Sequence, residues 1–231
     1  MSHLDVIENV ELIPVLELRP YEFSSGLRSS PTGSTQECPD EWNRYWTESL
    51  ADSGITGITP LQTGSCFAAT HKILDSGSLQ KILSKTFEDW GGIESLSDPD
   101  CVPILNGGLA LCGKTDVLVE PGCCADLLDV NNWAEVATYR KAEWQMLWIG
   151  HPWISFRFQA PWVILSDRHE SDAPRERWAV SPDEIRRALS ETHMELKAFS
   201  MQIARVLPTL GFSGDPILMA NRLTGLTEIA R

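Results

Sequence analysis

The sequence predicts an α+β fold, with a mostly antiparallel sheet packed by three or four helices, one of them long and near the C-terminus (about 182–207). Three observations lead there. The chain has 231 residues of which 42% are hydrophobic, enough to bury a core. Around residues 144–165, Ile154, Phe156 and Phe158 alternate with Ser155, Arg157 and Gln159, as on a strand with one wet face. After Ser181, apolar residues recur at alternating steps of four and three over about 26 residues, a helical period.

The elements follow in chain order. Val6 to Leu18 is rich in β-branched residues but contains Pro14, which cannot donate to a ladder, so an edge strand or two short strands are expected. Residues 24–36 are turn formers and predict a loop. Pro39 then opens a helix whose first turn carries Asp40 and Glu41. Trp42, Tyr45, Trp46 and Leu50 keep helical spacing until Gly54. Strands broken by Gly57, Pro60 and Gly64 are expected over 55–74, and an amphipathic helix over 78–90 that Gly91 and Gly92 end. Two apolar runs between Val102 and Val119 flank Asn106-Gly107-Gly108, which reads as a hairpin turn.

A short helix from Asn132 to Arg140 should precede the meander, in which Trp162–Leu165 is apolar throughout and fits a central strand. Trp144, Met146 and Trp148 share one strand face, which reads as core. Residues 166–179 are charged and loop-like. The long helix has Ser181 as its cap, Pro182 at its first position and Glu184 to complete a capping box. Its apolar seam (Ile185, Leu189, Thr192, Leu196, Phe199, Ile203, Val206) suits a helix laid on a sheet, or a homodimer through the long helix. A last short helix is expected near Pro216–Leu223. No linker demands a division, so the reading is a single domain over 1–231, with an acid-rich 1–120, a Trp-rich sheet and long helix over 121–210, and a weakly patterned tail over 211–231.

Composition narrows the function classes. The formal net charge is -13, and it is uneven: residues 1–120 carry 18 acids against 7 Lys and Arg, whereas residues 121–231 carry 14 against 12. Such a charge opposes general binding to nucleic-acid phosphates and favours a basic partner. A local basic stretch, Arg175, Arg177, Arg186 and Arg187, loosens that exclusion in the second half. The N-terminus has no cationic signal region and no apolar run approaches the ~20 residues of a membrane span, so a cytoplasmic chain is expected. Its six cysteines (Cys38, Cys66, Cys101, Cys112, Cys123, Cys124) are then expected to be reduced and mostly core filler.

Several motifs carry potential chemistry. Gly64-Ser65-Cys66-Phe67-Ala68 resembles the nucleophile segment of papain-like cysteine proteases. The resemblance implies a Cys66 thiolate at a helix N-terminus and a His base, drawn from His71, His151 or His193, whereas Gln62 stands four residues before Cys66 and that family's oxyanion Gln stands six before its nucleophile. It spans five residues, and Thr63 stands where that family has cysteine. Pro121-Gly122-Cys123-Cys124 reads as a tight turn with one thiol in the core, its thiolate opposed by Glu120 and Asp126. Gly150-His151-Pro152-Trp153 reads as a turn that leaves the imidazole partly exposed. No short cysteine pair suggests zinc, so neither a metal nor a cofactor is expected.

The expectation is therefore a non-enzymatic protein that binds a basic protein partner, of the immunity or inhibitor type. An acidic α+β chain with an internal Asn106-Gly107-Gly108 also resembles, in outline, a superfamily of immunity proteins. The partner is expected to dock on the N-terminal half, at Glu37, Asp40, Glu41, Glu48 and Asp52. The alternative is a cysteine-dependent hydrolase that uses Cys66 with a His base.

Overall fold

A computed structural model describes residues 4–26, 28–97 and 102–226. The fold is α+β, with two sheets of mainly antiparallel strands. One sheet has the order β1-β9-β8-β7-β6, formed by β1 (Asp5–Ile7), β6 (Gln145–Leu147), β7 (Ile154–Gln159), β8 (Trp162–Ser166) and β9 (Glu176–Val180). The other runs β3-β2-β4-β5, from β2 (Glu11–Glu17), β3 (Phe67–Ala69), β4 (Gly107–Cys112) and β5 (Val117–Val119). The helices are α1 (Pro20–Phe23), α2 (Pro39–Asp52), α3 (Ser76–Asp89), α4 (Val130–Thr138), α5 (Pro182–Val206) and α6 (Pro216–Leu223).

Two compact units divide the chain. The first comprises Met1–Pro14 and Asn106–Glu195, the second Val15–Leu105 and Leu196–Arg231. Both β2 and α5 begin in the first and end in the second.

In the first unit β8 is the middle strand, and Val163, Ile164 and Leu165 are all buried, as a strand covered on both faces requires. Only β1 joins this sheet in parallel, against β9. Strand β9 lies where a charged loop was expected; Trp178, Ala179 and Val180 are its buried residues. The α5 cap forms only in part. Ser181 Oγ accepts from Asp183 N–H at 3.2 Å, but the Glu184 carboxylate accepts from Val10 N–H at 2.8 Å instead of returning to the cap. Arg187, one turn on, donates to Val10 C=O at 2.7 Å. Val10 is fully buried, so α5 supplies both partners of an otherwise orphaned peptide unit.

In the second unit β3 pairs with Val15, Leu16 and Glu17. Strand β2 is thus internal to its sheet and not the expected edge. Its Pro14 is tolerated on the β3 side because that register starts one residue later. Helix α2 buries Tyr45, Trp46, Ser49 and Leu50, and α3 buries Leu79, Ile82, Leu83 and Phe87. Asp75 caps α3 by accepting from Ser78 N–H at 2.7 Å. Helix α6 begins at Pro216 as expected, with Asp215 accepting from the N–H groups of Ile217 and Leu218. All seven positions of the α5 seam are buried within the chain.

Candidate functional site

Helix α2 carries four of the five acids that the sequence singles out, and the turn before it carries Glu37. Pro39 starts it, its apolar face points into the second unit, and Trp46 Nε1 donates to Leu18 C=O at 2.8 Å, which fixes the helix rotation. Glu41, Arg44, Glu48 and Asp52 then fall at steps of three, four and four on the exposed side. The structure gives these acids different partners. Glu37 closes the turn before the helix, accepting from Ser34 N–H at 2.8 Å and from Ser34 Oγ at 3.0 Å, and these bonds hold its carboxyl below the usual range. Arg28 pairs with Glu48 and bridges to Asp52, whose carboxyl is depressed by Arg28 and then by Ser25 N–H. Asp40 and Glu41 are exposed and have no ion-pair partner among the described residues.

Beside α2 lies a cavity of about 410 Å³. Tyr21, Trp42, Tyr45 and Trp46 contribute its aromatic lining, Arg19 its charged side chain in the described lining, and Ser30, Thr35, Ser65 and Cys66 its smaller polar groups. Trp42 and Tyr45 meet edge-to-face at 5.8 Å, and Trp42 Nε1 is held by Gly33 C=O at 3.0 Å. The turn before β3 shapes one side. Gly64 has φ +83, and a Cβ there would stand 3.2 Å from both Pro39 Cβ and Thr35 O, so the turn packs against the start of α2 only as glycine. Arg19 donates to Tyr21 Oη at 2.9 Å and its Nε lies 3.1 Å from Glu22 and 3.6 Å from Glu17. Burial raises the carboxyls of Glu17 and Glu22 above their ordinary values, and Arg19 offsets this only in part.

Cys66 sits in this cavity, but its segment differs from what the protease resemblance implies. Cys66 leads into strand β3 and not into a helix, its C=O accepts from Leu18 N–H at 2.8 Å, and no histidine lines the cavity among the described residues. His71 follows β3 in a 3-10 turn, whereas His151 and His193 belong to the first unit.

The first unit brings three of the sequence motifs together, which the sequence did not foretell. Cys123 and His151 exchange backbone hydrogen bonds at 3.0 and 3.2 Å, and Gly122 N–H donates to Ile149 C=O. A Cβ on Gly122 would lie 2.5 Å from His151 O, and one on Gly108 3.0 Å from Pro121, so glycines let these segments meet. Gly107 and Gly108 are therefore buried at the start of β4, and the expected hairpin turn lies instead at Gly113–Asp116, where Gly113 N–H donates to Asp116 C=O at 2.9 Å. Both Cys123 and Cys124 are exposed, and of the five described cysteines only Cys112 is buried; Cys101 lies outside the described residues. Burial, then Glu11 and Glu120, push the Cys112 thiol up to about 11.

Nearby, Trp148 and Trp153 stack at 6.1 Å with the exposed His151 against both rings. Trp144, Met146 and Trp148 do not form core: Met146 is 53% exposed and both tryptophans are half-buried, because β6 is an edge strand that turns only Leu147 inward. Asp129 is 4% exposed. Its Oδ1 accepts from Asn132 at 3.0 Å while Oδ2 has no hydrogen-bond partner among the described residues, and burial, then Asp126, push its carboxyl up to about 8.

No three His, Cys, Asp or Glu side chains are grouped to hold a metal ion among the described residues, and no helix there is long and apolar enough to cross a membrane. Comparison with models of known families, with curated proteins and with solved structures gives no match to this chain.

Proposed function

We propose that the chain is a binding protein for a basic protein partner, of the immunity or inhibitor type, and that α2 with its preceding turn is the face that docks. The observation that carries this reading is the division of the acids. Arg28 takes up Glu48 and Asp52, while Asp40 and Glu41, one turn from Arg44, stand exposed without an ion pair among the described residues. The dipole at a helix N-terminus is equivalent to only about +0.5 charge. Asp40, Glu41 and the nearby Glu37 outweigh it, so the field there attracts cations and speeds their encounter.

The cysteine-hydrolase reading has Cys66 in a cavity in its favour, but that cavity has no histidine in its described lining to act as base. The binding reading is tested by calorimetric titration with octa-arginine and octa-glutamate peptides at about 0.05 M and about 0.5 M salt. Octa-arginine should bind at low salt, weaken at high salt, and lose affinity to the Asp40→Lys/Glu41→Lys variant. Equal binding by that variant, or no binding of octa-arginine at low salt, refutes the assignment.

A further inference from the structure

We infer that the aromatic cavity beside α2 receives one arginine side chain of the basic partner as its anchoring contact. This rests on the reading that α2 docks a basic protein, and it adds where the binding energy is concentrated. Three features of the cavity support it.

The first is the wall chemistry. Tyr21, Trp42, Tyr45 and Trp46 line a space of about 410 Å³, large enough to admit a side chain. Aromatic faces attract cations through their quadrupole, and a planar guanidinium stacks on them better than an ammonium does. Arg19 already shows this geometry on one wall, with its guanidinium carbon 5.8 Å from the centroid of the Tyr21 ring.

The second is charge. Among the described lining residues Arg19 is the one charged side chain, and it pairs with two carboxylates, Glu22 at 3.1 Å and Glu17 at 3.6 Å. Its positive charge is thus more than compensated, and the acids of the α2 first turn add to the negative field. Glu17 and Glu22 stand behind Arg19 and outside the lining, so the cavity favours a cation through the net negative field around it and not through an acid on its wall.

The third is placement. Trp42 and Tyr45 lie on the same helix as Asp40 and Glu41, so a partner whose basic surface meets the acids has the cavity within reach of a neighbouring side chain. Anchors of this kind, a long side chain in a pocket ringed by weaker contacts, dominate many interfaces.

The experiment uses N-acetyl-arginine amide as the single-residue probe, its citrulline counterpart as the neutral isostere, and octa-arginine as the long probe. The indole N–H resonances of Trp42 and Trp46 should shift with the arginine probe and not with citrulline. Tyr21→Leu, at a residue 63% exposed, should weaken octa-arginine about tenfold while thermal stability stays near that of the parent, and Trp42→Leu should weaken it as much while also losing the stability of the Trp42 contacts with Gly33 and Tyr45. If both variants bind octa-arginine normally while Asp40→Lys/Glu41→Lys does not, the anchoring cavity is wrong and the acidic face survives. Citrulline shifting the indoles as strongly as arginine also overturns the inference. If octa-arginine fails to bind the parent protein, the docking reading and the anchor fall together.

Discussion

Arg28 grips Asp52 with two parallel hydrogen bonds, from Nη2 to Oδ1 at 2.9 Å and from Nε to Oδ2 at 3.3 Å, and it pairs with Glu48 from the same guanidinium. A forked arrangement of this sort has both direction and charge assistance. Its effect on the α2 face is subtractive, because one cation occupies two of the five acids that a basic partner would meet.

Arg28→Ala should therefore strengthen octa-arginine binding at low salt, since two carboxylates are released and one repelling cation is removed. The same change should move the Asp52 titration upward in a carboxyl-resolved NMR experiment, because Arg28 is the main cause of its depression. The sign follows from linkage: a carboxyl depressed in the folded state adds stability above its unfolded pKa and loses it as pH falls through the folded value. The variant should accordingly be less stable at neutral pH and have a shallower acid limb, the two profiles converging as pH falls below the folded Asp52 value of the parent. Binding that is unchanged or weaker would show that the Arg28 pairs do not mask the face.

Asp129 behaves in the opposite sense. Its folded pKa is raised to about 8, from an unfolded value near 3.9, by burial and by Asp126. Folding therefore favours the neutral acid, and the stability tied to it is fully present below pH ~4 and is lost as pH rises to ~8. Asp129→Asn keeps an acceptor for Asn132 and removes the ionisation. Denaturant unfolding at pH 8.5 should show the variant more stable by on the order of 2 kcal/mol, with little difference near pH 4. A parent profile as flat as the variant's between these limits would contradict this account.

Gly122 permits the contact between its segment and the Gly150-His151 segment, and Ala has no room there, with His151 O 2.5 Å from the added carbon. Gly122→Ala should destabilise the protein by about 2 kcal/mol or more, the usual scale for forced overpacking. Since Trp148 and Trp153 meet His151 edge-to-face, their fluorescence should change in the native baseline as well. A substitution within about 0.5 kcal/mol of the parent would mean that the two segments separate easily.

Alkylation should rank the thiols by access and ionisation. With iodoacetamide near pH 8, Cys123 and Cys124, both exposed, should react before Cys112, which is buried and has a thiol pKa of about 11. Peptide mapping gives the order directly. At pH 6 none should stand out; preferential modification of Cys66 there would favour the hydrolase reading over the binding one.

Elements defined by their own residues were legible in the sequence. The α5 seam from Ile185 to Val206 is buried at every expected position, and α2, α3 and α6 begin or end at the Pro39, Gly91 and Pro216 signals, because helical period and terminal chemistry act within a few residues of chain. Of the candidate site, the sequence showed which acids share α2 but not their partners. Arg28 is twenty residues from Glu48 in sequence, and nothing local announces that pairing.

Contacts between distant segments were decided by tertiary structure alone. Asn106-Gly107-Gly108 has turn composition, yet Gly107 and Gly108 lie buried in β4, where Gly108 has Pro121 against it. Glu184 has capping-box spacing, yet its carboxylate goes to the buried N–H of Val10, whose other orphaned group Arg187 satisfies. The same holds for Tyr21, Trp42, Tyr45 and Trp46, whose shared cavity brings α1 and α2 together. A short window of sequence carries periodicity and end signals, whereas the choice of partner for a buried polar group or a glycine depends on segments that only the folded chain brings together.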